Sequence, residues 1–213
     1  MFLEIGELAA RHLVQVDLRG GPLFDRIYDV QCFDLDAVRS YERNIRHEAM
    51  SASRYASPID PDPVVSRLDV VILGAAEVDR NFNVNVATGG NGSIIGGPGG
   101  HPDTAAGAKL TIVTTRLTAG GHPKLVENVL CRVTPGEDVD VVVTEGGVAV
   151  NPRRDDLLER FRRSGVPITS IDDLRRLAAL DSSFRKLEAT GHVVALVEHR
   201  SGTWREAIHK YAQ

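Results

Sequence analysis

Residues 81–109 read NFNVNVATGGNGSIIGGPGGHPDTAAGAK, and the chemistry-bearing residues of the chain concentrate there. Gly96-Gly97-Pro98-Gly99-Gly100 removes the Cβ from nearly every position of one turn. Backbone N–H groups in such a turn approach a ligand closely and suit a phosphate or the oxyanion of an acyl transfer. A ligand-free loop has the same composition, so glycine density leaves both readings open. Asn83 and Asn85 alternate with Val84 and Val86, and their amides either bond a substrate carbonyl or cap a strand end. His101 and Asp103 either bind an acid or fix the loop, Asp103 as N-cap of a short helix. Asn151, Arg153 and Arg154 follow an apolar run. Guanidinium groups there suit a polycarboxylate by paired hydrogen bonds, and surface arginines of a first helical turn are the other reading. Glu77 and Asp79 are either acid–base groups or a solvated turn after a strand. Arg54 and Tyr55 are equally open.

Several familiar motifs are excluded. Lys109 lies between Ala108 and Leu110, so there is no phosphate-binding G-x-x-x-x-G-K-[ST] loop. Residues 97–102 lack the last glycine of a dinucleotide fingerprint, and no strand directly precedes them. His101 and Asp103 have no third ligand at a convincing spacing, so no metal site is expected. No G-x-S-x-G nucleophile elbow occurs.

The elements that position these residues are short. Residues 69–74, 110–115, 139–144 and 147–150 are Val- and Ile-rich runs ended by glycine or polar residues. Such runs predict strands buried on both faces, in a parallel or mixed sheet covered by helices. Residues 13–18 alternate better and predict an edge strand. Residues 153–164 predict a helix, with Leu157, Leu158 and Phe161 on one face, Pro152 in its first turn and Gly165 as its C-cap. Ser170 with Asp173 opens a second helix carrying Leu174, Leu177 and Leu180. A third helix is predicted over residues 181–189. Residues 192–198 and 203–208 flank Arg200-Ser201-Gly202 as a terminal hairpin. Residues 56–63 hold Pro58, Pro61 and Pro63 and form a rigid loop or seam. The resulting fold class is α/β, an open mixed sheet flanked by helices with a C-terminal β-hairpin.

The chain has 213 residues, 42% hydrophobic and 25% charged, a globular composition. Its 25 basic and 29 acidic residues give a net charge of −4, which argues against nucleic acid as the main partner. Lys109, Lys124, Lys186 and Lys210 are the only lysines, so the positive charge is nearly all arginine, either for anion recognition or from a compositional habit. Cys32 and Cys131 have no metal or disulfide spacing and read as small core residues of a reduced protein. No run of 18 apolar residues predicts a membrane span. Glu4 and Glu7 stand where an export signal needs bases, so a cytoplasmic location is expected.

Gly97-Pro98-Gly99-Gly100-His101-Pro102-Asp103-Thr104-Ala105-Ala106-Gly107-Ala108-Lys109, followed by an apolar strand, resembles the glycine loop of coenzyme A transferases, and Asp69-Val70-Val71-Ile72-Leu73-Gly74-Ala75-Ala76-Glu77-Val78-Asp79 resembles a second segment of that superfamily. Gln31-Cys32-Phe33-Asp34, Ser51-Ala52-Ser53-Arg54-Tyr55-Ala56, residues 79–86, Thr134-Pro135-Gly136-Glu137, residues 147–154 and residues 193–203 point to one branch, the citrate lyase alpha subunit family. The resemblance runs from about residue 24 to the C-terminus and covers the second half of the family's chain. It implies one coenzyme A transferase-like domain over residues 1–213, with residues 1–23 divergent. The activity implied is a citrate CoA-transferase, which exchanges the acetyl group of an acyl-carrier or CoA thioester for citrate through a mixed anhydride. The alternative is a non-catalytic or truncated module that needs a separate first-half partner. Gly97, Gly99, Gly100 and Asn85 are then the expected catalytic residues, and Asn83, His101, Asp103, Asn151 and Arg153 the expected substrate contacts. Relatives in the wider superfamily use a catalytic glutamate; this chain has none in a matching glycine-flanked turn, and the citrate lyase branch needs none. No bound cofactor is implied: the CoA-like group, phosphoribosyl-dephospho-CoA, belongs to a carrier protein, or CoA itself serves. Expected partners are the beta and gamma subunits, with a first-half alpha chain or a second copy.

Overall fold

A computed structural model describes residues 2–5, 26–28, 39, 42, 49–183 and 187–212. In chain order its elements are β1 (Phe2–Ile5), β2 (Arg26–Tyr28), α1 (Ala52–Ala56), a 3-10 turn (Val64–Arg67), β3 (Val70–Gly74), β4 (Glu77–Asp79), β5 (Val84–Asn85) and α2 (His101–Gly107). There follow β6 (Thr111–Thr114), β7 (Thr118–Ala119), β8 (His122–Pro123), β9 (Leu125–Val126), a second 3-10 turn (Gly136–Asp138), β10 (Val141–Thr144), β11 (Gly147–Val150), α3 (Asp155–Arg163), α4 (Ile171–Leu180), β12 (Ala189–Glu198) and β13 (Arg205–Tyr211).

The main sheet has six strands in the order β11-β10-β6-β3-β1-β2. Only the β10–β11 pair is antiparallel, so the sheet is mixed, as the apolar runs predict. Alternation along its strands makes two cores. Val71, Leu73, Val113, Val142 and Ala149 face one side, with Ala105 of α2 and Ile171, Leu174 and Ala178 of α4. Val141 and Val150 face the other, with Leu157 of α3 and the partly buried Ile112, Val143, Val148, Leu158 and Phe161. Helices therefore cover both faces. Burying one side chain such as Leu174 contributes about 1.5–3 kcal/mol, so the α4 face is a main tie between helix and sheet.

The helix ends follow local chemistry. Gly165 has φ +69, and the Val166 N–H donates to Phe161 O and the Gly165 N–H to Arg162 O, so α3 ends in a Schellman motif with Gly165 at C′. Ser170 Oγ accepts from the Asp173 N–H and caps α4. Other expectations need correction. Pro152 lies in a turn ahead of the Arg154 N-cap, not in the first turn of α3. The buried stripe of α4 is Ile171, Leu174 and Ala178; Leu180 is 84% exposed, because 171, 174 and 178 keep one helical face while 180 has rotated away. The third helix over 181–189 is not formed: 181–183 are turn and coil, 187–188 are coil, Ala189 opens β12, and 184–186 lie outside the described residues. The expected edge strand at 13–18 and the Gln31–Asp34 block, with Cys32, also lie outside them. Cys131 is buried as expected. No helix among the described residues is long and apolar enough to cross a membrane.

Between β3 and its parallel neighbour β6 the chain makes β4, β5, the glycine loop and α2. The loop therefore hangs at the C-terminal edge of the parallel strands, where open α/β sheets place ligands.

Candidate active site

The glycine loop is solvent-facing. A Cβ built on Gly96, Gly97, Gly99 or Gly100 meets nothing within 4 Å, so the backbone lies open to an approaching group. Gly99 has φ +53, a conformation that disfavours side chains. Among the described residues the N–H groups of Gly97, Gly99 and Gly100 have no hydrogen-bond partner, while Pro98 O accepts from the His101 N–H.

His101 locks the loop to the sheet. Its Nε2 lies 3.0 Å from Gly74 O, the last residue of β3, and its Nδ1 2.7 Å from Thr134 Oγ1. A carbonyl only accepts, so Nε2 carries the proton and Nδ1 accepts from the threonine hydroxyl. Burial holds the imidazole neutral, with its pKa lowered to about 4. Asp103 is not an N-cap: Gly100 holds that position, and Asp103 accepts from Arg200 Nε at 2.6 Å. Both His101 and Asp103 thus fix the loop, one of the two readings the sequence left open.

Asn83 and Asn85 are spent on internal bonds. Asn83 donates to Asp79 Oδ2 at 3.0 Å and accepts from the Gly136 N–H at 2.9 Å. Asn85 is fully buried; it donates to Glu77 Oε2 and Thr88 Oγ1, both at 2.8 Å, and accepts from the N–H groups of Ala87 and Thr88. Its amide has no capacity left for a substrate in this conformation. Glu77 and Asp79 are buried rather than in a solvated turn. Burial raises the Glu77 pKa, against hydrogen bonds from Asn85 and Leu130. Asp79 Oδ1 caps the tight turn through the N–H groups of Asn81 and Asn83. Arg54 holds the proline-rich loop through Asp62 O, and Tyr55 is buried beside it.

Asn151 and Arg153 make no hydrogen bond to the glycine loop, and Arg153 shares a pocket with Asn83. β11 runs antiparallel, so its end lies at the N-terminal edge of the parallel strands and not at the ligand edge that a parallel strand would give. Asn151 is buried and donates to Gly136 O and Val139 O, both at 2.8 Å. Arg154 pairs with Asp140 at 2.6 Å. Arg153 is exposed and 3.6 Å from Glu137.

Five further residues complete the region. Arg200 ties the hairpin turn to α2. Trp204 stacks on His199 with centroids 4.3 Å apart, and the Arg132 guanidinium lies 4.3 Å over its ring. Asp138 is half-buried beside α2, and burial raises its pKa against Arg200 and Arg153. No spacing signal finds these groups, because Arg132, Trp204 and Arg200 meet only through the fold of the terminal hairpin.

The citrate lyase, alpha subunit (CitF) profile matches residues 5–211. The chain belongs to the citrate lyase alpha subunit family. It is 47% identical to the citrate lyase alpha chain of Klebsiella pneumoniae over 194 residues, 91% of this chain and 38% of that one. The citrate lyase alpha chain of Escherichia coli (strain K12) is 43% identical over 92% of this chain and 38% of its own. A crystal structure assigned as the alpha subunit of citrate lyase from Streptococcus mutans, in complex with citrate, superposes with a TM-score of 0.85 at 39% identity, covering 99% of this chain and 41% of that one. This member of the family thus spans about two-fifths of the length of the relatives it matches. The α/β architecture and the terminal hairpin agree with that likeness.

Proposed function

We propose that this chain is the glycine-loop half of a citrate CoA-transferase. The observation that carries the reading is an exposed loop, Gly96 to Gly100, with unspent N–H groups, in a chain of the citrate lyase alpha subunit family. The reaction exchanges acetyl for citryl on a carrier-protein or CoA thioester. A citrate carboxylate attacks the acetyl carbonyl, the C–S bond breaks, and a thiolate and a mixed acetyl-citryl anhydride form. The thiolate then attacks the citryl carbonyl, and acetate leaves. Each attack places negative charge on a carbonyl oxygen. The N–H groups of Gly97, Gly99 and Gly100 stabilise it, and losing one such donor costs about 100- to 1000-fold in rate. Asn85 and His101 act in this scheme as positioning residues, because their polar atoms are already engaged within the chain, and Asn83 and Asp103 position through Asp79, Gly136 and Arg200 while keeping some hydrogen-bonding capacity.

A second reading is a module that works with a first-half partner, a separate subunit or a second copy of this chain. Ile94 and Ile95 beside the loop, and Val193, Val194 and Leu196 on β12, are exposed apolar residues that suit such a contact. The beta and gamma subunits are the further partners of this assembly. The test is citrate-dependent loss of acetyl thioester, measured with the purified chain alone and with a separately supplied first half. Transfer that Gly97→Val abolishes supports the reading. Folded protein that transfers nothing in either preparation replaces it with a non-catalytic module.

A further inference from the structure

The terminal hairpin touches the chain on both sides of the glycine loop. Upstream of the loop, residues 87–95 fold back on themselves. Thr88 bridges Ile94 antiparallel, the Ile95 N–H donates to Ala87 O at 2.9 Å, and the Gly89 N–H donates to Ser93 O at 2.9 Å. This tight turn docks on β13. Ala87 packs in one cluster with Ile208, Cys131 and Val133. The Tyr211 ring lies directly against the Gly92 backbone, where a Cβ would fall on the ring. Gly92 has φ +78, so both the turn and the close contact need glycine there. Burial raises the Tyr211 pKa, as do the nearby Glu77 of β4 and Cys131, so the phenol sits beside the buried part of the fold. Downstream of the loop, Arg200 in the hairpin turn holds Asp103 of α2 at 2.6 Å. The seven residues of β13 run between these two contacts, roughly 20 Å of extended chain.

We propose that the terminal hairpin is a strap that fixes the spacing between the two ends of the glycine loop, with Tyr211 as the positioning residue at the upstream end. Gly96 to Gly100 have no side chain but that of Pro98 to hold them, and glycine backbone is the most permissive. The direction of their N–H groups therefore follows from where Ile95 and His101 are held. The sheet fixes His101, and the turn under Tyr211 fixes Ile95. Oxyanion stabilisation depends on donors already in place, so slack at the upstream end lowers the rate and leaves substrate affinity alone. The effect on transfer rests on the function proposed above; the hold of the ring on the turn does not.

Amide hydrogen exchange on the whole chain, and thioester transfer by the chain with its first-half partner, test the strap in Tyr211→Ala and Tyr211→Phe. In Tyr211→Ala the Gly89 and Ile95 amides should exchange at least about tenfold faster, while Val113 of β6 and Val142 of β10 stay as in wild type. Transfer should lose about a hundredfold in kcat with KM within about twofold of wild type, as a small misplacement of catalytic donors does. Tyr211→Phe keeps the ring on Gly92 and should match wild type in both measurements. Gly92→Ala drives the ring off from the other side of the contact and should reproduce the exchange pattern of Tyr211→Ala. Unchanged exchange at Gly89 and Ile95 in Tyr211→Ala overturns the proposal. Faster exchange throughout the main sheet overturns it too, since Tyr211 would then serve the fold as a whole, and so does a rise in KM at constant kcat. Wild type that transfers nothing, with the exchange pattern as expected, overturns the function proposed above and leaves the strap standing.

Discussion

Arg200 donates through Nε to Asp103 Oδ1 across 2.6 Å, joining the turn of the terminal hairpin to the first turn of α2. The two side chains are only 25% and 19% exposed, so removing one partner leaves a poorly solvated charge. Arg200→Ala should destabilise the fold by about 1–3 kcal/mol. Arg200→Ala with Asp103→Ala should cost less than the sum of the singles by about 0.5–3 kcal/mol. Urea denaturation of the four proteins gives the cycle; strict additivity would show that the hairpin is not latched to α2 by this pair.

The neutral imidazole of His101 predicts a pH effect. Its folded pKa of about 4 lies below the ordinary 6.5, so between these values the unfolded chain binds more protons than the folded one. Stability therefore falls as the pH drops from about 6.5 through about 4, and this contribution is flat above 6.5. Carboxylates add their own acid loss, so the comparison is with His101→Gln, whose stability should change less over that window. Parallel denaturation curves for the two proteins from pH 7 to pH 4 would contradict the assignment.

The parts of this molecule readable from sequence are those governed by local rules. The Val- and Ile-rich runs at 69–74, 110–115 and 139–144 give parallel strands because they are apolar at successive positions. Gly165 and Ser170 end and begin helices through bonds within a few residues. The glycine loop is visible because Gly96 to Gly100 are contiguous. What fails depends on direction and distance. The run at 147–150 shows a strand but not that it runs antiparallel, and that reversal carries Asn151 and Arg153 to the edge opposite the loop. Asn85 looks like a free amide until the fold brings Glu77 and Thr88 to it. Arg132 and Trp204 meet only after β13 returns along β12.

Asn85 should behave as a structural residue. With no exposure and its amide bonded to Glu77 and Thr88, Asn85→Ala leaves the Glu77 carboxylate short of a donor in a buried site. The expected loss is about 2–4 kcal/mol of stability, seen as a lower thermal midpoint. A variant that keeps the wild-type midpoint yet loses transfer would instead make Asn85 a direct catalytic contact.

Gly97 and Gly136 should separate function from folding. A Cβ on Gly136 would sit 1.8 Å from Asn81 O, within the turn that Asp79 caps. Gly136→Ala should therefore cost at least about 2 kcal/mol and lower the thermal midpoint. A Cβ on Gly97 meets nothing, and its φ is not in the left-handed region, so Gly97→Ala and Gly97→Val should stay within about 0.5 kcal/mol of wild type. Gly99→Val is a poorer probe, because φ +53 adds backbone strain of about 1–2 kcal/mol to any effect on the site. If the loop amides stabilise the transfer oxyanion, Gly97→Val lowers kcat with an unchanged midpoint, since the added side chain covers the approach to the N–H groups. Gly97→Ala should show a smaller drop in the same direction. The measurement is thioester transfer by the completed assembly alongside thermal melting of each variant. Full activity in Gly97→Val, with the fold intact, would remove the loop from the reaction.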